Sequence, residues 1–209
     1  MKLNAYQLCV AIFVLATLSS AHCRRPCLSS NYTFGITDKV NPNLDSIHIG
    51  DTLFIISNIP TTMNDLISGK IIDYSGAKNL SADISISEMI SGIDTGRGAT
   101  SDFNYVSING SIYLDNSIPK PTYFMQLKYQ QTGNSYLLNV GIIPKRNGIY
   151  SLGLGNGLNI STTTGCDKTD FQIAWDSTTN QHFYLHDLIY PGNPLSDFSK
   201  TRVYCFKVY

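Results

Sequence analysis

Apolar residues recur at every second position in one short segment after another, and this period of two constrains the fold more than any other feature. Ile47 and Ile49 alternate with Ser46 and His48, and Ile84 and Ile86 with Ser85 and Ser87. Met125, Leu127 and Tyr129 share a face opposite Gln126 and Lys128, and Tyr150, Leu152 and Leu154 form another stripe. Phe171, Ile173 and Trp175 follow the same rule, as do Tyr204, Phe206 and Val208 opposite Val203, Cys205 and Lys207. Successive side chains leave a strand on opposite faces, so the spacing puts one face of each segment in a core. Leu53–Ile56 is apolar on both faces. Gly50-Asp51, Thr132-Gly133-Asn134 and Pro144–Gly148 punctuate the runs. Asn109-Gly110, between Ile108 and Ile112, predicts a two-residue hairpin because both residues tolerate positive φ.

The acidic residues agree with that reading. Glu88 is the sole glutamate against fourteen aspartates. Helices favour Glu, whereas Asp suits turns, where its short side chain bonds the local backbone. Helix is expected in two places only. Thr61–Ser68 has a threonine N-cap and a stop at Gly69, and Leu195–Phe198 can make one turn. The expected fold is all-β: an antiparallel β-sandwich, immunoglobulin-like or jelly-roll-like, of about ten short strands with one or two helical turns. The segment His182–Asp187 is read as one of those strands from its flanks; on a helix the i, i+4 histidines could share a metal, as in zinc proteases, but no general-base Glu follows. No repeat, Pro-rich linker or low-complexity tract divides residues 22–209, which are read as one domain.

Residues 1–21 read as a signal peptide. Lys2 precedes the apolar run Leu8–Leu18, and Ser19-Ser20-Ala21 supplies the small residues of a cleavage site. The run is too short for a bilayer core, which takes about 20 residues. The chain is therefore expected to be exported, either free in the periplasm or medium or lipid-anchored at the outer membrane. Cys9 leaves with the leader, and Cys23, Cys27, Cys166 and Cys205 remain as disulfide candidates. Of the three pairings, Cys23–Cys27 with Cys166–Cys205 is preferred, the longer loop being worth about 4 kcal/mol in the chain-entropy model. The competing reading is lipidation of Cys23, for which Ser20 and His22 stand at the −3 and −1 positions. A lipid anchor at Cys23 is the sole membrane attachment expected.

Asp45–Ile55, with its Gly-Asp turn before an apolar strand, resembles the early strand pair of bacterial immunoglobulin-like surface domains. The same stretch, with Ile71–Ser75 and Tyr204–Val208, is similar to uncharacterised secreted or lipid-anchored proteins of Bacteroidota. That resemblance implies an envelope protein and brings no activity or catalytic residues. Antibody domains place a Trp between two sheet-bridging cysteines and far from both; Trp175 lies nine residues after Cys166, which departs from that pattern.

Sites for chemistry are sparse. His182, Tyr184 and His186 share a strand face, but strand geometry sets the two imidazoles about 13 Å apart, too far for one ion. Asp38, Asn41, Asn43 and Asp45 offer oxygens suited to calcium, as do Asp167, Asp170 and Asp176, though turns use the same residues. No Gly-x-Ser-x-Gly elbow or phosphate loop occurs, Gly153–Gly157 lacking the Lys-Ser/Thr ending. Fifteen basic and fifteen acidic residues, with no basic stripe, argue against nucleic acid. Tyr113, Tyr123, Tyr129, Tyr136 and Tyr150 are read mainly as core or cross-strand residues, with sugar stacking as the functional alternative. No cofactor or catalytic residue is expected. The expected function is that of an exported, non-catalytic binding or structural accessory protein of the bacterial cell envelope, with a glycan or another envelope protein as partner. The rival is an extracellular hydrolase acting on a polymer such as a glycan through an Asp-based site. A deep pocket of convergent Asp and His favours the enzyme; an exposed aromatic face or an uncovered strand edge favours binding.

Overall fold

The computed structural model describes residues 31–77, 80–114, 123–155, 157–160 and 168–209. Cys23, Cys27, Cys166, Asp167 and the leader lie outside the described residues. The alternating segments form two seven-stranded sheets, accompanied by a two-stranded one. The first sheet contains β1 (Asn31–Asn41), β3 (Leu53–Pro60), β8 (Phe103–Asn109), β11 (Gln130–Thr132), β12 (Ser135–Pro144), β14 (Gly157–Ile160) and β15 (Lys168–Trp175). The second contains β2 (Ser46–Ile47), β6 (Ser81–Ile90), β7 (Ile93–Gly98), β9 (Ser111–Tyr113), β10 (Phe124–Lys128), β13 (Gly148–Leu154) and β16 (Val203–Val208). A small ribbon, β4 (Thr62–Asn64) with β5 (Ile71–Asp73), completes the strands.

The period of two places the core between the sheets. Phe34, Ile36, Ile55, Val140, Phe171 and Ile173 enter it from one side, and Ile84, Ile86, Leu127, Leu152, Tyr204 and Phe206 from the other. All belong to one hydrophobic cluster. The all-β, sandwich-like fold is as expected.

The details differ from a ten-strand antiparallel sandwich. Sixteen strands occur among the described residues, in part because the chain changes sheets across the single residues Thr61, Gly110 and Tyr129, cutting long runs into short strands. Two pairings are parallel: β1 with β15 over eight residues, and β2 with β16. Asn109-Gly110 does not close a hairpin. Before it β8 pairs with β12, and after it β9 pairs with β10 in the other sheet, so the turn is a corner. Gly110 takes φ 71°, and a Cβ there would lie 2.4 Å from the Lys128 carbonyl oxygen. Tyr129 carries the chain back across between β10 and β11.

The helix expected at Thr61–Ser68 is absent. Met63 pairs with Ile72 in the small ribbon, and the Asp65 carboxylate organises the turn that follows. It accepts from the Ser68 hydroxyl at 2.5 Å, the Ser68 amide at 2.9 Å and the Thr33 amide of β1 at 2.8 Å. These bonds, the Ser68 hydroxyl foremost, hold its pKa down to about 2. Conversely, the strand expected at His182–Asp187 is replaced from Tyr184 onward by helix α1 (Tyr184–Ile189), with His182 outside it. Leu185 and Ile189, four apart, form the apolar stripe that the histidine alternation obscured, and they pack over Met89 and Cys205.

The expected turn at Leu195–Phe198 is displaced by two residues into α2 (Asp197–Lys200), capped by the Ser196 hydroxyl accepting from the Ser199 amide at 3.1 Å. Just beyond it, two successive carbonyls fasten both sheets. Thr201 O accepts from the Trp175 amide of β15 and Arg202 O from the Leu154 amide of β13, each at 2.9 Å. That clasp positions the candidate site.

Candidate functional site

Phe198 stands on α2 with 66% of its surface exposed, and the Arg202 guanidinium lies 4.2 Å from its ring centroid. The pair forms a ridge with a hollow on each side. The hollow against the first sheet, about 420 Å³, is floored by Gly35, Thr37 and Ala174 with Gln172 at its side. The hollow against the second sheet, about 250 Å³, is floored by Ser85, Gly153 and Gly155 and bordered by Phe124. Both floors consist of small residues on outward faces of paired strands. A Cβ on Gly153 would come within 2.5 Å of the Ser85 hydroxyl, so this floor has no room for a larger residue.

The electrostatics of the ridge are simple. Arg202 is the only charged residue lining either hollow among the described residues. Its backbone is fixed by the clasp, and its guanidinium carbon sits over the Phe198 ring, where a cation is attracted by the ring face and the guanidinium N–H groups remain a donor set. Burial lowers its pKa somewhat, and Asp170 opposes that shift through space. The arrangement can stack a flat apolar face and bind an acceptor at its margin. Among the described residues its lining carries the hydroxyls of Thr37, Ser85, Ser199 and Thr201 and no carboxyl, imidazole or thiol group.

The histidine segment divides. His182, at φ 52°, packs its ring against Tyr204, whereas His186 packs against Tyr190. Burial lowers the His182 pKa. Near them Tyr184 donates to Asp45 at 2.6 Å above a hollow of about 250 Å³ that also includes Leu188, Lys207 and Tyr209. Tyr184 is the main cause of the lowered Asp45 pKa.

The oxygen-rich segment does not converge. Asp38 is sealed in the core, Asn41 is exposed, Asn43 donates to the Thr178 carbonyl and Asp45 is held by Tyr184. Asp170 is exposed, and Asp176 accepts from Thr178 and faces Lys39 at 4.0 Å. No group of three metal-ligating side chains forms among the described residues. Of the five tyrosines, Tyr129, Tyr136 and Tyr150 are buried, Tyr123 is half-buried and Tyr113 is 42% exposed. Cys205 is fully buried beneath α1 and free among the described residues, its preferred partner Cys166 lying outside them.

Two polar clusters lie away from the ridge. Asp38 is wholly buried, accepts from the Tyr129 hydroxyl at 3.1 and 3.2 Å, and has its pKa pushed up to about 7 by burial. Glu88 and Asp102 are bound by Arg97 and Arg146 in a box of alternating charge, with the Arg97 to Glu88 contact at 2.7 Å. Sequence reasoning missed Phe198 and Arg202. Their only local signal was the single helical turn, since the floors come from strands distant in sequence. No family model matches the chain, and no curated protein matches it.

Proposed function

We propose that this chain is an exported, non-catalytic binding protein of the bacterial cell envelope that contacts a glycan through the Phe198–Arg202 ridge. One observation carries the reading: an exposed ring, fixed beneath a guanidinium, stands between two small-residue hollows of about 420 and 250 Å³. A sugar offers an apolar ring face for stacking and hydroxyls for polar partners at the edge, here Thr37, Gln172 and Arg202. Leaving an aromatic side chain exposed costs stability that a ligand would recover.

The carboxyls favour binding over hydrolysis. A glycosidase needs two carboxyl groups reaching the sugar from opposite sides, one of them with a raised pKa. Asp38 has a raised pKa but no exposure, Asp83 is raised by burial yet lies behind Gly155 and lines neither hollow, and Glu88 and Asp102 are occupied by arginines. In this reading residues 1–21 are removed on export, and Cys23, Cys27, Cys166 and Cys205 face an oxidising compartment.

Protein from residue 22 onward, applied to an array of bacterial and host glycans, tests the reading beside Phe198→Ala. The exposed ring can be removed without opening the core, so the variant is expected to lose binding and keep its melting temperature. Equal binding by both proteins rules out the ridge. Intact mass of the protein from an exporting bacterium tests the leader: cleavage before His22 gives a soluble protein, and a diacylglyceryl mass on Cys23 gives a tethered one.

A further inference from the structure

We infer that the ligand of this groove is an anionic saccharide, its carboxylate or sulfate received by Arg202 while a sugar ring lies against Phe198. The inference rests on the glycan-binding reading above and adds the charge of the ligand to it.

The protein has balanced formal charge, fifteen of each sign. The lining of the two hollows is not balanced. Arg202 supplies their only charged side chain, so the groove presents one positive charge between two neutral floors. The neighbouring carboxylates stand off from it: Asp170 acts on Arg202 through space, and Asp83 lies behind Gly155, neither lining a hollow. Lys200, in the last turn of α2, pairs with Asp197 at 3.2 Å and lines neither hollow. Arg202 forms no ion pair among the described residues, in contrast with Arg97 and Arg146, which are both bound by carboxylates.

Geometry makes that unpaired charge useful. The guanidinium carbon lies 4.2 Å from the Phe198 ring centroid, and a planar guanidinium offers a fork of N–H donors from which a carboxylate or sulfate accepts two at once. The peptide on which Arg202 sits is already fixed, its carbonyl receiving the Leu154 amide at 2.9 Å. Little backbone freedom is therefore lost when an anion arrives. A neutral sugar would satisfy Phe198 and leave the charge unanswered. A simple anion would satisfy Arg202 and leave the ring unanswered. A saccharide carrying one negative group per ring or two answers both.

Titration calorimetry with four proteins decides the matter: wild type, Phe198→Ala, Arg202→Gln and Arg202→Lys. Three probes are needed: tetragalacturonate, its neutral methyl ester, and a sulfated neocarratetraose. The wild type is expected to bind an anionic probe at least about tenfold more tightly than the ester. That margin should vanish in Arg202→Gln, shrink in Arg202→Lys, which keeps the charge but loses the planar fork, and narrow as ionic strength rises. Binding of only the carboxylated or only the sulfated probe identifies which anion is received. Equal affinity for tetragalacturonate and its ester, with the sulfated probe bound no more tightly than either, overturns the inference and leaves a neutral-sugar site. No binding of any probe, together with a blank glycan array, overturns the ridge as a glycan site altogether. Melting temperatures close to wild type separate lost contacts from lost fold.

Discussion

Asp38 points inward from β1 between Ile36 and Val40, where a charge has only the Tyr129 and Ser57 hydroxyls to answer it. Its pKa of about 7 in the fold compares with 3.8 for the exposed group. The folded chain therefore binds a proton more tightly than the unfolded chain between those values. Stability should fall as pH rises from about 4 to about 7 and level off above, a change of about 4 kcal/mol for a three-unit shift. Unfolding free energies from urea titrations at pH 5 and pH 8 capture about two of those three pH units, a fall of about 3 kcal/mol, and Asp38→Asn should flatten the difference. Carboxylates with lowered pKa, such as Asp65, act in the opposite direction and below this window. Burial pushes the Cys205 thiol up to about 12, so it should resist alkylation in the native protein at neutral pH and react on unfolding. A thiol that labels only after both unfolding and reduction would instead mean a Cys205 disulfide.

Among the elements, the corner at Asn109-Gly110 carries a glycine that no other residue can replace without strain. Gly110→Ala would force a side chain into positive φ and against the Lys128 carbonyl, and should cost at least about 2 kcal/mol in urea unfolding. Helix α1 offers a second test. Leu185→Ala removes its only fully inserted side chain, which packs over Met89 and Cys205, at a cost of about 2–3 kcal/mol. The same variant should speed native-state labelling of Cys205, because the lid over that thiol is loosened. These two elements also mark the limits of the sequence. Alternation in β6, β10, β13, β15 and β16 was legible because the period of two depends only on neighbouring residues. The corner was not, since Asn-Gly allows positive φ equally whether the flanking strands pair with each other or part into two sheets. The helix was misread because His182, Tyr184 and His186 alternate as a strand would, while the Leu185–Ile189 spacing that governs burial spans just one turn. Asp65 was read as part of a helix, although its bond to Thr33 depends on a strand thirty-two residues earlier.

At the scale of the whole molecule, the candidate site belongs to no single segment. Phe198 and Arg202 come from the sequence near the C-terminus, one floor from β1 and β15, and the other from β6 and β13. Local periodicity could reveal each strand but not that their small residues would lie side by side under one ring. The sheets themselves gain from distributed polar bonds. Glu88 is nearly buried within the arginine box, so Glu88→Gln should cost about 1–2 kcal/mol, a value reduced by the exposure of Arg97 and Arg146. Its effect on ligand affinity should be nil, because the box lines neither hollow.

The parallel pairing of β1 with β15 has a mechanical consequence. Any tether on the cell surface that holds this protein by its N-terminal side transmits its pull into Asn31, the first residue of β1. That strand is not at an edge: it is bonded to β15 from Asn31 to Asp38 and to β3 from Lys39 to Asn41. A load along its axis must therefore shear eight paired residues together, whereas an edge hairpin would peel open one bond at a time. Under flow or drag the domain should extend only after that shared resistance is overcome, and the groove beside Gly35 would keep its shape until β1 itself gives way.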